Sequence, residues 1–201
     1  VADKSIEHGD RDSSSTNYGY ISLANNASFL APPVSYTAWV YPKSEGTGNF
    51  GIMGLTGSSG QDGIKFGCVG STDAFRVRLR TNDGDTIYDL ETDVDSGNLM
   101  ECVAEDWYFV ALVLDEDTIG GLVVSQTYTL RVTRYDVEAD GTLGSMVYEY
   151  YDQTTAVAGE EVSAADDGDG LLIGSFTNWQ AGQKHWWGRI DDFAIWDRAL
   201  T

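Results

Sequence analysis

Residues 75–80 read Phe-Arg-Val-Arg-Leu-Arg, and residues 88–93 read Tyr-Asp-Leu-Glu-Thr-Asp. Each run alternates apolar with charged or polar side chains, and the charges of the two runs have opposite sign. In an extended chain a period of two places every apolar side chain on one face. Between the runs lies Asn82-Asp83-Gly84-Asp85, and Asp-Gly is a favoured two-residue hairpin turn. With Asp83 and Gly84 as the turn, Arg78 faces Asp89 and Arg76 faces Glu91, while Val77 meets Leu90 and Leu79 meets Tyr88. Such a hairpin must bury one face and carry a ladder of ion pairs on the other, each worth about 0.2–1 kcal/mol.

The same period recurs along the chain. Tyr, Val, Thr, Phe and Trp fall in short runs broken by Gly, Asn and Asp, and all three Pro occur by position 42. Strands are predicted near residues 18–23, 35–41, 48–55, 63–69, 75–81, 86–92, 107–114, 128–135, 145–151, 170–175, 186–190 and 193–197. No stretch keeps a helical period and there is no internal repeat. Many short strands without a helix imply an all-β chain of two packed antiparallel sheets. No linker divides the 201 residues, so residues 1–201 are read as a single domain able to bury a sizeable core. Residues 160–170 carry five acids and read as a solvated loop before a buried strand at 171–174.

Thirty-two Asp and Glu stand against twelve Lys and Arg, a formal net charge of −20. A phosphate backbone needs a basic surface, so nucleic acid is excluded as a partner, and an anionic membrane is disfavoured for the same reason. No apolar run approaches the roughly 20 residues that span a bilayer, so membrane insertion is not expected. No charged-then-apolar leader opens the sequence, and for an exported chain a leader is expected to have been removed. Only four of the cations are Lys, and a carboxylate-rich, Lys-poor surface suits salty surroundings. Cys68 and Cys102 are too few for a disulfide framework and lack metal-ligand spacing. One bridge and two buried strand thiols both fit, the thiols being the simpler reading. His8 and His185 leave little room for a His-based zinc site or a hydrolytic triad.

The carboxyl end reads Gly170-Leu-Leu-Ile-Gly-Ser175, then Trp186-Trp-Gly-Arg-Ile-Asp-Asp-Phe-Ala-Ile-Trp-Asp-Arg-Ala-Leu-Thr201. This resembles the closing signature of laminin-G-like domains of the concanavalin A-like lectin/glucanase superfamily. Tyr18-Gly-Tyr-Ile-Ser-Leu23, Tyr36-Thr-Ala-Trp-Val-Tyr-Pro42 and Trp107-Tyr-Phe-Val-Ala-Leu-Val-Leu114 resemble its early and middle strands, in the expected order. The resemblance implies an antiparallel jelly-roll sandwich and puts Trp39, Trp107, Trp186 and Trp196 in strand signatures, where they are expected in the core. Residues 115–151 depart from the family pattern as a longer excursion, expected to remodel an edge or a binding loop. The superfamily includes lectins, carbohydrate-binding modules, adhesion domains, glycosidases and lyases, so the fold does not decide the function.

The resemblance also implies one structural calcium where the amino-terminal segment meets the last strand. Calcium takes 6–8 oxygen ligands. Asp191 matches the family's first Asp of Ile-Asp-Asp, and Asp3 or Asp10 is the amino-terminal candidate. The cluster at residues 166–169 lacks the register of a calcium loop and reads as solvated. For catalysis, the glucanase branch uses a Glu-x-Asp-x-Glu strand, and Glu91-Thr-Asp93-Val-Asp95 is a near miss. Arg76 opposite Glu91 lowers the pKa of a would-be general acid, the wrong direction for a proton donor. The Arg, His and Tyr set of the lyase branch has no match here. The chain is therefore read as not an enzyme.

Sugar sites need exposed aromatic faces for C–H stacking and planar polar groups for hydroxyl pairs. Asn178-Trp179-Gln180, in a loop with Gly182, has that composition. Trp187 adjoins Trp186 in a strand, so one of the two must leave the core, and Tyr148, Tyr150 and Tyr151 straddle both faces of theirs. Arg80 and Arg131 have no obvious acidic partner and suit acidic sugars, although a neutral glycan is simpler for so acidic a chain. Asn26-Ala-Ser28 is a glycosylation sequon that matters only in a eukaryotic secretory setting. The candidate ligand residues are thus Trp179, Asn178, Gln180, Trp187, Tyr150, Arg80 and Arg131. The expected function is a calcium-stabilised, lectin-like module that binds a polysaccharide or glycan, within a larger secreted or cell-surface protein. The alternatives are a protein-interaction or structural adhesion domain without a sugar site, and a glycoside hydrolase or polysaccharide lyase.

Overall fold

Arg78 lies opposite Asp89 and Arg76 opposite Glu91, with Val77 against Leu90 and Leu79 against Tyr88, the register that the alternation predicts. The computed structural model describes residues 6–8, 20–24, 32–43, 49–56, 63–70, 72–80, 87–92, 100–138, 140–157, 162, 170–176 and 185–201. The expected turn at Asp83-Gly84 lies outside these. In the ladder Asp89 takes both arginines, Arg76 at 2.8 Å and Arg78 at 3.0 Å, and Arg76 also reaches Glu91 at 3.5 Å. Partial burial pushes the Asp89 carboxyl up, but the hydrogen bonds and charges of Arg76 and Arg78 outweigh it and hold the group below its ordinary value.

The strands in chain order are β1 Ile6–His8, β2 Ile21–Leu23, β3 Val34–Pro42, β4 Asn49–Thr56, β5 Gly63–Val69 and β6 Ala74–Arg80. They continue as β7 Ile87–Glu91, β8 Trp107–Ile119, β9 Leu122–Val137, β10 Leu143–Val157, β11 Leu171–Ile173 and β12 Gly188–Trp196. One sheet has the order β1-β12-β3-β8-β9-β10 and the other β2-β11-β4-β5-β6-β7. Neighbouring strands pair antiparallel throughout. This is the two-sheet jelly-roll sandwich expected from the sequence.

The core lies between the sheets. Tyr36, Ala38 and Val40 of β3, Tyr108, Val110 and Leu112 of β8, and Tyr128, Leu130 and Val132 of β9 face Phe66, Phe75, Val77 and Leu79 of the other sheet. Phe75 packs on Tyr108 with ring centroids 4.8 Å apart, and Tyr88 on Tyr128 at 5.5 Å. Buried hydroxyls need partners. Tyr108 Oη donates to the Glu101 carbonyl at 2.6 Å, and Tyr128 Oη donates to Gln126 Oε1 at 2.8 Å. The Tyr36 hydroxyl is buried without a partner among the described residues, and burial pushes its pKa upward.

Three expectations need correction. Cys68 and Cys102 form a disulfide rather than remaining two thiols, because the segment after Met100 is drawn against β5 in the core. The expected strands at 186–190 and 193–197 are one strand, β12, interrupted by an irregularity rather than a turn. Of the four strand tryptophans, Trp186 is in the core, whereas Trp39 and Trp107 are half-buried and Trp196 is exposed. The two residues flanking Trp39, Ala38 and Val40, take the core positions of β3, and period two sends the indole to the outer face. The excursion at 115–151 extends β8, β9 and β10 into three long strands that end the sheet. β8 turns into β9 through Gly120 and Gly121, whose φ of 63° and 83° suit a tight hairpin that glycine adopts without strain.

Candidate functional site

The outer face of the β1-β12-β3-β8-β9-β10 sheet is where aromatic side chains reach the surface. On β3, Ser35, Thr37, Trp39 and Tyr41 alternate with the core residues and point outward. Trp39 pairs with Phe109 of β8, their rings 5.3 Å apart at 59°, and packs on Tyr135 of β9 at 5.0 Å. Tyr41 meets Trp107 at 5.2 Å, and the Arg189 guanidinium lies over Tyr41 at 5.7 Å. Tilted pairs of this kind lock one another's rings, which builds a stiff apolar platform.

The last strand completes the site through a bulge. Asp191 pairs with Trp39 and Ala194 with Thr37, so β12 spends three steps where β3 spends two. One extra residue flips the faces of everything beyond it. Ile195 is thereby turned to the core and Trp196 to the outside, where it stands opposite Ser35. Asp192 at the bulge has a φ of 47°, which aspartate tolerates better than most residues, and its N–H donates to Asp191 Oδ1 at 2.8 Å. The Trp196 Nε1–H donates to Thr37 Oγ1 at 3.0 Å, and Arg198 lies over the ring at 5.9 Å. Beyond the strand, the Leu200 N–H donates to Ser35 Oγ at 3.0 Å, and Ser35 Oγ donates to the Arg198 carbonyl at 2.8 Å.

These elements enclose an open pocket of about 450 Å³ lined by Thr37, Trp39, Phe109, Asp192, Phe193 and Trp196, with Ala194 and Leu200. Its size is that of a small-ligand site. The walls are aromatic, and the exposed carboxylate of Asp192 stands at the rim as a hydrogen-bond acceptor. Such a site can stack the C–H face of a ring and accept hydroxyl protons. Among the described residues its lining carries one carboxylate, Asp192.

Of the residues singled out from sequence, the described ones lie apart from one another. Asn178, Trp179 and Gln180 lie outside the described residues. Trp186 enters the core and its Nε1–H donates to the Arg189 carbonyl at 3.1 Å. Trp187 is half-buried against the core, with its Nε1 buried and unpartnered among the described residues. Tyr150 turns inward, and its hydroxyl donates to the Glu91 carbonyl of the other sheet at 2.8 Å. Arg131 is on the outer face of the aromatic sheet, and Arg80 follows Arg76 and Arg78 on the outer face of the opposite one. Glu91 keeps its Arg76 partner, while Asp93 and Asp95 lie outside the described residues. The pocket residues Phe109, Asp192 and Phe193 were not singled out, and Trp39 and Trp196 were expected in the core and not at a ligand site. The signal for Trp39 was present in Ser-Tyr-Thr-Ala-Trp-Val-Tyr, but aromatics occupy both parities of that run.

Asp191 suits a calcium ligand by chemistry, being a half-buried carboxylate on the strand that β1 joins at Ile6 and Ile190. Asp3 and Asp10 lie outside the described residues, and among the described residues no three His, Cys, Asp or Glu side chains cluster to hold a metal. Bound calcium would cross-link the first and last strands.

A family model for laminin G domains, described as the concanavalin A-like lectin/glucanases superfamily, matches residues 15–126, more than half of the chain. The structure is similar to the carbohydrate-binding module CBM40 of a Ruminococcus gnavus IT-sialidase, with TM-score 0.55 and 14% identity over 86% of this chain and 80% of that one. The same module solved with α2,3-sialyllactose gives TM-score 0.54 and 15% identity over 84% and 77%. Domains LG4-5 of the mouse laminin α1 chain give TM-score 0.53 and 14% identity over 91% of this chain and 42% of that one. These likenesses establish a shared fold. Comparison with curated proteins gives no match.

Proposed function

The chain belongs to the laminin G family of the concanavalin A-like lectin/glucanases superfamily, and from that premise we propose that it is a non-catalytic carbohydrate-binding module. The observation that carries this reading is the pocket lined by Trp39, Phe109 and Trp196 together with the exposed Asp192. A sugar ring lies against the Trp196 indole, which is 40% exposed although a hydrogen bond fixes its orientation. Preset aromatic rings lose little entropy on binding, so their contact area converts efficiently into affinity. Asp192 accepts hydroxyl protons at the rim. The similarity to a module solved with sialyllactose is compatible with this use of the fold.

The reading includes export to an oxidising, extracellular setting, supported by the Cys68–Cys102 disulfide, and service within a larger protein. It also includes a structural calcium ion with Asp191 among its ligands. The test is an array of neutral and anionic glycans and polysaccharides in millimolar calcium, run with the wild-type chain and Trp196→Ala. Selective binding that is lost in the variant is expected. Absence of binding across the array would overturn the reading.

One feature favours a second reading, protein interaction. Ile119 and Leu122 at the β8–β9 hairpin tip are 71% and 73% exposed, large values for aliphatic side chains. A chain that binds no glycan but loses a protein partner on Ile119→Ser would support it.

A further inference from the structure

We infer that Arg131 is an anion-recognising group on the same outer face, so that the glycan taken there carries a carboxylate or a sulfate; this rests on the carbohydrate-binding reading and narrows its ligand class. The register puts Thr37, Ala111, Arg131 and Tyr151 in one row across β3, β8, β9 and β10. Leu130 and Val132, on either side of Arg131, are fully buried in the core, so Arg131 points outward with the row. Thr37 lines the pocket, and Arg131 stands two strand spacings away, about 10 Å. The residue between them is Ala111, the smallest side chain of the row and 5% exposed.

The surroundings of Arg131 are unusual for so acidic a chain. Arg76 and Arg78 are ion-paired to Asp89, and Arg134 to Asp106. Arg131 has no ion pair among the described residues, although the chain carries 32 carboxylates. Glu149, on β10 opposite Thr133, is its diagonal neighbour and does not pair with it. The Arg131 Nε is withdrawn from solvent without a hydrogen-bond partner, and the guanidinium lies 5.3 Å above the Tyr151 ring, which is 50% exposed. An unpartnered donor of a cation is costly, and a guanidinium matches a carboxylate or sulfate through two parallel N–H donors. Thr129 and Thr133 flank it two residues away on the same strand face, and Thr129 Oγ1 accepts from Gln153 Nε2 at 3.1 Å. The face is thus polarised, with the Asp192 carboxylate beside the aromatic pocket and Arg131 beyond it. A ligand lies with its hydroxyl-bearing ring in the pocket and its anionic group toward Arg131.

The test is isothermal titration of the whole chain with matched oligosaccharides. One pair is an oligogalacturonate and its carboxyl-reduced counterpart; the other is a sulfated galactan and its desulfated counterpart. The wild type is expected to bind at least one acidic member roughly tenfold or more tightly than its neutral match, the scale of a charge-assisted hydrogen bond. The preferred pair identifies carboxylate or sulfate as the anion. Arg131→Gln is expected to abolish the preference, bringing the ratio of acidic to neutral affinity to about one. Arg131→Lys, which keeps the charge but loses the fork, is expected to lose most of the preference and serves if the glutamine variant does not fold. Neutral binding without an acidic preference, or a preference that survives Arg131→Gln, overturns this inference alone. No binding to any of the four overturns it together with the carbohydrate reading.

Discussion

The indole N–H of Trp196 donates to Thr37 Oγ1 at 3.0 Å, joining positions 159 residues apart in the chain. The bond holds an exposed aromatic ring at a set angle beside the Trp39–Phe109 pair. Trp196→Ala is expected to weaken glycan binding by about 2 kcal/mol, roughly thirtyfold, as for a central aromatic anchor. Thr37→Val, which removes only the acceptor, is expected to cost about 1 kcal/mol in affinity. Titration with the best array ligand measures both. Equal losses would show that Thr37 contributes more than orientation.

The Cys68–Cys102 bridge closes a 34-residue separation. Chain-entropy reasoning for a loop of that size gives about 3–4 kcal/mol of stabilisation. Urea unfolding of Cys68→Ala/Cys102→Ala against the oxidised wild type measures it. A loss near zero would mean that the unfolded chain is not restricted by the bridge.

Asp89 serves two arginines, and its folded-state pKa lies below the ordinary value of 3.8. A carboxylate lowered on folding contributes stability above its unfolded pKa and loses it as the pH falls through the folded one. Asp89→Asn is therefore expected to cost about 0.5–1 kcal/mol at neutral pH, the range of exposed pairs. In strong acid the two proteins are expected to unfold alike. A difference that persists in strong acid would place the effect in packing instead of charge.

The Tyr36 hydroxyl is buried without a partner among the described residues. Removing an unsatisfied group leaves the ring packing intact, so Tyr36→Phe is expected to stabilise the chain by about 1 kcal/mol. Urea unfolding measures the change. Destabilisation would reveal a hydrogen bond to a group outside the described residues.

The calcium ion proposed at Asp191 would have a direct thermal signature. A ligand bound only by the folded chain raises its stability by about 2.7 kcal/mol at a hundredfold excess over Kd. The melting temperature is expected to rise in calcium relative to chelator, and Asp191→Asn to remove the rise. An unchanged wild-type melting temperature would remove calcium from the reading.

The sequence by itself determined the local pairing and the class of fold. The alternation in 75–80 and 88–93 specifies its register because opposite charges and apolar residues both demand the same alignment. The net charge of −20 is likewise legible without the fold, since it does not depend on folding. Only the tertiary structure decided the site. Around Trp39 and Phe109, Tyr36 and Tyr108 are also large and aromatic, so period two cannot tell inside from outside until the second sheet covers one face. The bulge at 191–194 is a long-range event: one extra residue against β3 turns Trp196 outward, and nothing in Ile-Asp-Asp-Phe-Ala-Ile-Trp requires it. The disulfide likewise depends on where the segment after Met100 packs, which is a property of the assembled core and not of the spacing of two cysteines.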